Sequence, residues 1–333
     1  MTDRAALPAA ETWFLSNGLS YFVPSERAAA KESLRLRRTL PWLVVVVVAA
    51  GAAGFGLARL SGSRSAAPAT MISLGVVAGL WYALSALRAR RIVAWALGRT
   101  FGSLRLLVPM ASRALPLLLV FVTFLFINAE AWQMTANLSA GSLWLTVVLL
   151  TGLALVFLLV RLPEEVDQVD DAVDDVFLLR SCAGTPLEDA CHELVESPDD
   201  DPAAYAQVAG LDRWNLILVL LVVQIGQVLL LIVAVFVFFV LFGSLVMTQQ
   251  VQEAFTGLGE GNLHSAPVLS SVSLELVKVS LFLAAFSGLY FTVAAVTDDT
   301  YRGQFFDAVT GELERAVGVR AVYLALRARE GAG

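Results

Sequence analysis

The stretch LILVLLVVQIGQVLLLIVAVFVFFVLFGSLVM, residues 216–247, decides the fold class of this chain. It carries no charged residue, and about 20 apolar residues in a helix already span the ~30 Å hydrocarbon layer of a bilayer. Backbone N–H and C=O groups in lipid must be paired within the protein, so a continuous apolar run of this length predicts a transmembrane helix rather than a barrel strand. The run is interrupted by two amide side chains, Gln224 and Gln227.

Five other stretches are long and apolar enough to cross a bilayer. Together with residues 216–246, the candidate spans cover residues 40–60, 70–87, 114–133, 142–160 and 269–296. The chain is 58% hydrophobic and 16% charged, whereas soluble domains carry about 25% charged residues. The sequence therefore predicts an all-α polytopic membrane protein with six transmembrane helices, interfacial amphipathic helices and a small helical insertion.

Lysine and arginine residues are concentrated on one side of these alternating spans. They cluster before the first span, between the second and third, and after the sixth, whereas residues 134–141 and 247–268 contain none; only Arg59 and Arg64 lie on the other side. Basic residues favour the cytoplasmic side of a membrane. We therefore expect a protein of the plasma membrane with both termini in the cytoplasm.

The spans divide the chain into five regions. Residues 1–39 form an N-terminal arm, 40–160 hold spans one to four with an interfacial helix at 92–108, and 161–213 form an acidic cytosolic insertion. Residues 214–297 hold spans five and six, and 298–333 form a C-terminal amphipathic helix. Spans one and two carry small residues at four-residue spacing, which favours an intrachain hairpin, with a dimer seam as the alternative.

The N-terminal arm combines aromatic and basic residues ahead of the first span. Aromatic rings prefer the headgroup level of a bilayer, and arginines can bind anionic lipid. The residues expected at the lipid interface are Trp13, Tyr21, Arg35, Arg37 and Arg38. Binding of a protein partner is the alternative interpretation of the arm.

The insertion at 161–213 contains about half of all the acidic residues. Pro163, Thr185 and Asp201 mark three helix starts. Solvated helix faces explain the acids most simply, and a cation sensor or a dock for a basic partner are the sharper alternatives. Cys182 and Cys191 are expected to stay reduced, and no zinc ligand spacing is present, so neither metal nor cofactor is predicted. The net charge of −6 disfavours nucleic acid as a partner.

Polar residues within the spans are the candidate functional residues, because charges inside a membrane are costly and mark function. Counting 1.5 Å per residue along straight helices places Glu130 and Glu275 at a similar depth, roughly 20–25 Å from the cytoplasmic boundary. Lys278 shares a helix face with Glu275 and is expected to bridge it to Glu130. With Gln224 and Gln227 these residues form a hypothetical transport path; alternatively, Glu275 and Lys278 neutralise each other and the glutamines link helices.

Two stretches resemble a known family. FLFINAEAWQ at 124–133 and FLAAFSGLYFTVAAVTDDTYRGQFFDAV at 282–309 are similar to those of uncharacterised actinobacterial six-span membrane proteins. The resemblance implies the same topology and no particular activity.

Two classes of function follow from these patterns. Hydrolase, metalloprotease and P-loop motifs are absent, so an enzyme is not predicted. The first hypothesis is a channel or transporter for a small cation or proton along the polar path. The alternative is a non-transporting scaffold or regulatory subunit acting through the acidic loop and the C-terminal helix. Membrane lipid is the expected partner in both cases. A second copy of the chain or another membrane protein is a further possible partner.

Overall fold

A computed structural model shows a protein built almost entirely from helices. The structure describes residues 3–33, 35–86, 88–102, 119–197, 201–259, 261, 263–265, 272–297 and 299–332. Within this part of the chain, five helices are long and apolar enough to cross a membrane, and a bent pair of shorter helices makes up to six crossings. The predicted all-α polytopic membrane fold is confirmed.

The helices follow the chain in a simple order. They are α1 (Asp3–Ser16), α2 (Pro24–Ser33), α3 (Leu36–Ser61), α4 (Ala66–Ser85), α5 (Arg90–Gly102), α6 (Leu119–Phe126), α7 (Ala129–Ala136), α8 (Ala140–Asp170), α9 (Asp175–Cys182), α10 (Glu188–Glu196), α11 (Gly210–Val246), α12 (Gln249–Thr256), α13 (Leu274–Thr297) and α14 (Asp299–Ala332). Short 3₁₀ turns lie at Ser20–Phe22 and Pro202–Tyr205. The long apolar helices are α3, α4, α8, α11 and α13. Residues 103–118, which include the end of the predicted interfacial helix and the start of span three, lie outside the described residues.

The centre of the bundle is the antiparallel pair α11 and α13. A Cβ placed on Gly243 would lie 2.4 Å from a methyl group of Leu276, and one on Gly288 would lie 2.5 Å from Ile232. A side chain at either position would displace these neighbouring side chains, so glycine lets the two helices pack closely. Packing is completed at the Gly243 end by Phe126 of α6, whose ring stacks on Phe239 with centroids 4.9 Å apart.

Helices α3 and α4 form a hairpin at the edge of the bundle. In their apolar windows only 11% and 6% of the residues are buried, so both helices present most of their side chains to the lipid. A Cβ on Gly54 would lie 2.8 Å from the Ala67 carbonyl oxygen, which explains the small residue there. Gly75 and Gly79 meet no atom within 4 Å, so the small-residue stripe of the second span is not used within the hairpin.

The extramembrane part is a single packed unit, which we call the cap: α1, the turn Ser20–Phe22, α9, α10, α14 and the adjoining ends of α8 and α11. Its core contains Phe14, Phe22, Leu178, Leu187, Leu194, Val317 and Tyr323. With 31 and 37 residues, α8 and α11 are about 46 and 55 Å long at 1.5 Å per residue. Both exceed the ~30 Å hydrocarbon layer and run from the bundle into the cap without interruption.

Two helix starts predicted in the insertion are wrong. Pro163 lies inside α8 rather than opening a new helix, although proline inside a helix costs about 3 kcal/mol. The buried stripe Leu158, Leu162, Val166 and Val169 continues across the proline into the cap core, and this packing offsets the cost. Asp201 begins only the 3₁₀ turn Pro202–Tyr205, because the following backbone is held against α8 by a hydrogen bond from Val208 N to Asp170 Oδ2 of 3.0 Å.

The N-terminal segment is part of the cap and not a separate arm on the lipid. Tyr21, expected at the interface, is only 4% exposed, so that expectation is corrected. Burial raises the pKa of Tyr21 above its usual value. Trp13 is half-buried with its ring edge-on to Phe14, while Arg35 and Arg37 are exposed. Lipid contact by these three stays a prediction, and the Arg38 side chain lies outside the described residues.

The helix after the last span is present as α14, but it is not a one-sided amphipathic helix. From Leu313 to Leu326 it is buried almost all round. The reason is that α1, α9, α10 and the end of α8 surround it, which a sequence periodicity cannot reveal.

Candidate functional site

The sharp bend between α6 and α7 sets the geometry at the end of the bundle away from the cap. The two helices meet at 69°. Asn128 causes the break, since its side-chain oxygen accepts a 2.8 Å hydrogen bond from the backbone N of Glu130 and starts a new helix. The Trp132 indole N–H donates to the Phe126 carbonyl at 2.7 Å, satisfying an acceptor at the end of α6.

The bend corrects the expected position of Glu130. Phe126 packs near Gly243, which lies in the last turn of α11, so the bend occurs at the end of the bundle. Helix α7 then lies against α12, where Trp132 contacts the Phe255 ring at 6.3 Å between centroids. Glu130 is therefore exposed in the first turn of α7, and the straight helix assumed in the depth count is wrong, because the chain bends by 69° before Glu130. Residues 114–118 of the predicted span lie outside the described part.

Lys278 stabilises the end of α7 rather than bridging two carboxylates. Its Nζ donates to the carbonyl oxygens of Ala136 and Leu138 at 2.9 and 3.0 Å. These carbonyls lie at the C-terminus of α7, where the helix dipole favours a cation. Among described residues Lys278 forms no ion pair with Glu275 or Glu130, so the predicted bridge is wrong.

Glu275 holds the loop before α13 in place. Its side chain is buried, and Oε1 lies 3.0 Å from His264 Nδ1 while Oε2 accepts a 3.2 Å hydrogen bond from the His264 backbone N. The backbone N of Leu274 also donates to the His264 carbonyl at 2.6 Å. Three bonds at one residue therefore clamp the loop onto the start of α13.

A cavity of about 340 Å³ opens beside this clamp, and we call it the distal cavity. Gln252 defines one wall, since its Nε2 donates to the Met247 carbonyl at 2.9 Å and its Oε1 accepts from Ser273 Oγ at 2.5 Å. The wall combines polar and apolar groups, among them Thr248, Gln249, Gln252, His264, Ser265, Ser273, Met247, Val272 and Leu276. No lysine or arginine is among the described residues that line it, which disfavours an anionic ligand.

The chemistry available at the distal cavity centres on the His264 imidazole. Its side chain is 73% exposed, and its Nδ1 shares a 3.0 Å hydrogen bond with the Glu275 carboxyl group. Nε2 takes no part in this bond. Within the described residues no third His, Cys, Asp or Glu joins them to make a metal site.

Gln224 and Gln227 lie far from this end of the bundle. Gln227 precedes Gly243 by about 24 Å along α11 at 1.5 Å per residue. Both glutamines are buried. Among the described residues, neither amide atom of Gln224 has a hydrogen-bond partner, nor has Oε1 of Gln227. The structure therefore does not bring the five predicted residues into one cluster. Three cavities bounded by described residues have none of the five in their walls.

A buried ion cluster joins the cap to the foot of α11. Asp212 is 2% exposed, with Oδ2 3.0 Å from Arg320 Nε of α14 and Oδ1 3.0 Å from a terminal nitrogen of Arg27 on α2. Arg320 also donates to the carbonyls of Tyr205 and Gln207 at 3.3 and 3.1 Å. Asp212 and Arg320 thus join four separate parts of the chain.

A second set of bonds ties the N-terminus to the same place. Asn215, one turn along α11, accepts a 2.8 Å hydrogen bond from the Tyr21 backbone N and donates to the Gly18 carbonyl at 3.0 Å. The Tyr323 hydroxyl donates to Glu11 of α1 at 2.6 Å. Burial and this bond to Glu11 raise the pKa of Tyr323 to about 12.

The two cysteines are both buried in the cap and are not joined by a disulfide. A hydrogen bond with the Cys191 sulfur, together with burial, raises the pKa of Cys182. Their thiols are therefore protected from reagents while the cap is folded.

Sequence reasoning missed Asp212, Asn215, Arg320 and Trp132 as organising residues. Asp212 and Asn215 lie just before the long apolar run. Polar residues are common at a membrane boundary, so their presence there does not by itself indicate a special role. The Asn-Ala-Glu segment at 128–130 carried a readable signal, because asparagine is a favoured helix N-cap and an acid suits the first turn.

Comparisons with known proteins supply no relative for this arrangement. No protein-family model, no curated protein and no solved structure matches the chain.

Proposed function

We propose that this chain is a membrane scaffold or regulatory component that engages a partner through its cap. The single observation behind the proposal is the ion cluster at Asp212. Arg27 of α2 and Arg320 of α14 pair with Asp212 at the foot of α11, and Arg320 also holds the 202–207 segment. Because α8 and α11 continue unbroken from cap to bundle, binding at the cap is mechanically joined to the spans. The arginine distribution supports a cap on the cytoplasmic side of the plasma membrane.

The partner surface proposed is the acidic face of α10. Its inner side is buried through Ala190, Cys191 and Leu194, while the acids Glu188, Asp189, Glu193 and Glu196 are exposed. Glu193 pairs with Arg329 at 3.1 Å and Glu188 accepts from the Gly184 backbone N at 2.8 Å. Asp189 and Glu196 form no ion pair with any described residue, so they are available to a basic protein surface.

The experiment is quantitative co-purification after cross-linking in the native membrane. Wild type is compared with Asp189→Lys/Glu196→Lys, and with the matched control Glu164→Lys/Asp171→Lys, which makes the same charge change at the far end of α8. The proposal expects a protein enriched by wild type and the control and lost with the α10 variant. Equal recovery with all three would refute a role for this face.

A second candidate, cation or proton transport, is favoured by one observation only. The Gln224 amide is fully buried and has no hydrogen-bond partner in the part of the chain that the structure describes. Leaving such a group unsatisfied costs roughly 1–3 kcal/mol. Retention at that cost is a mark of functional polar residues in membranes. Flux into proteoliposomes that is present in wild type, lost in Gln224→Leu/Gln227→Leu and kept in the exposed-site control Gln133→Leu would replace the scaffold proposal. If vesicles with the wild-type protein were no leakier than empty ones, the scaffold proposal would be supported.

A further inference from the structure

The foot of the α3–α4 hairpin gathers arginines from two separate parts of the chain. Tyr82 near the end of α4 donates its hydroxyl to the Ser33 carbonyl at 2.6 Å, and its ring lies 5.0 Å from that of Trp42. These contacts hold the segment before α3 against the last turns of α4. We call the resulting surface the basic edge, and it consists of Arg35, Arg37, Arg88, Arg90 and Arg91.

Two of these arginines are fixed in place by one carboxylate. Glu26 of α2 lies 2.8 Å from Arg88 and 3.3 Å from Arg91. Both arginine side chains stay more than half exposed, so most of their N–H donors face solvent. Arg88 has φ 54°, a left-handed conformation rare for a residue with a side chain, and it turns the chain from α4 toward α5.

The other three arginines are exposed and carry no ion pair with any described residue. The neighbouring α2 adds Lys31 and Glu32 to the charged groups near the edge. Cations therefore outnumber carboxylates, and Glu26 alone cannot neutralise the surface.

The basic edge adjoins an apolar wall that faces lipid. Leu40 and Leu43 on α3 are 53% and 55% exposed, and Trp81 on α4 is 69% exposed. Leu43 lies only about 9 Å along the helix from Arg37. A phospholipid with its acyl chains on this wall would place its phosphate at the arginines, where guanidinium forks bind phosphate oxygens in pairs.

We propose that the basic edge is a binding site for the phosphate headgroup of an anionic phospholipid. The site holds one lipid class against the hairpin, independently of any partner at the cap. Screening by salt weakens such binding, because the arginines are exposed.

The test is native mass spectrometry of the full chain in detergent with equal amounts of phosphatidylglycerol and phosphatidylcholine of the same acyl chains. Arg35→Gln/Arg37→Gln is compared with Arg59→Gln/Arg64→Gln, which removes the same charge from the opposite end of the same hairpin. Thermal unfolding in phosphatidylcholine alone checks that both variants are folded.

The proposal expects wild type and the opposite-end variant to retain phosphatidylglycerol preferentially. Affinity should fall about fivefold for each arginine removed from the basic edge, or about 25-fold for the double variant. Equal retention of the two lipids by wild type would overturn the site, as would equal losses in the two double variants. If inorganic phosphate raised the unfolding temperature as much as phosphatidylglycerol does, the site would bind a free anion and not a lipid.

Discussion

Replacing Asp212 by Asn should loosen the cap while leaving the bundle intact. The carboxylate is 2% exposed and lies 3.0 Å from the Nε of Arg320, itself largely buried. Removing one partner of a buried ion pair leaves the other charge uncompensated and costs about 3–5 kcal/mol. Asparagine keeps one acceptor oxygen, so we expect the lower end, a loss of about 3 kcal/mol in the free energy of cap unfolding.

The thiols of Cys182 and Cys191 provide the assay. They are the only two cysteines in the chain, and both are buried in the cap core. When opening and closing are fast relative to reaction, the labelling rate by a maleimide follows the fraction of open cap. A loss of about 3 kcal/mol should raise that rate roughly 150-fold.

The matched control is Asp171→Asn, which removes an exposed carboxylate from the same unit. Its labelling rate should stay within about twofold of wild type, since surface changes are usually worth less than 0.5 kcal/mol. If Asp212→Asn labels no faster than Asp171→Asn, the Asp212 cluster does not hold the cap together, and the proposed coupling of cap to bundle loses its basis.

Three further outcomes follow from single contacts. Lys278→Met should destabilise α7 by about 1–3 kcal/mol through loss of two charged hydrogen bonds. Amide exchange should become faster at residues 129–138 and stay unchanged in α8. Equal protection of residues 129–138 in the variant and wild type would contradict the capping role. Glu275→Gln should speed exchange at 263–265, because the carboxylate holds both the ring and the backbone N of His264. The control Glu130→Gln, which changes an exposed side chain, should leave those amides near the wild-type rate. Tyr323 ionises with a pKa raised to about 12 in the folded cap, against about 10 when unfolded. Its contribution to stability is therefore complete below pH 10 and lost as pH rises toward 12, by roughly 2–3 kcal/mol. At pH 8, Tyr323→Phe should be less stable than wild type by about 1 kcal/mol. Between pH 10 and 12 it should not show the additional loss of stability that ionisation of Tyr323 causes in wild type. Thermal unfolding followed by circular dichroism measures both effects.

The residues expected to form a transport path show where counting along a helix fails. Glu275 and Lys278 were correctly placed on one helix, but the partner of each is set by elements distant in sequence. The expected bridge assumed that α6 and α7 were one straight span. Asn128 breaks that span, so Lys278 meets the end of α7 and Glu275 meets His264 instead.

The cap shows the same limit for aromatic and basic residues. Tyr21 and Arg27 precede the first span in a pattern typical of an interfacial arm. The pattern does not predict a packed cap, because Tyr21 is buried against Ile92 and Val219 and Arg27 pairs with Asp212. Nothing in the local sequence near residue 21 specifies them.

The sequence by itself determined that this is a helical membrane protein, because apolar length and the need to pair every backbone group in lipid are properties of each segment alone. Local spacing also marked the hairpin of α3 and α4, since a short connection forces the two helices to lie side by side. Only the tertiary structure decided which polar groups are satisfied and which are not. Asp212 gains two arginines and Lys278 two carbonyls, while Gln224 gains no partner among the described residues, because such pairings depend on distances between helices that no single segment encodes.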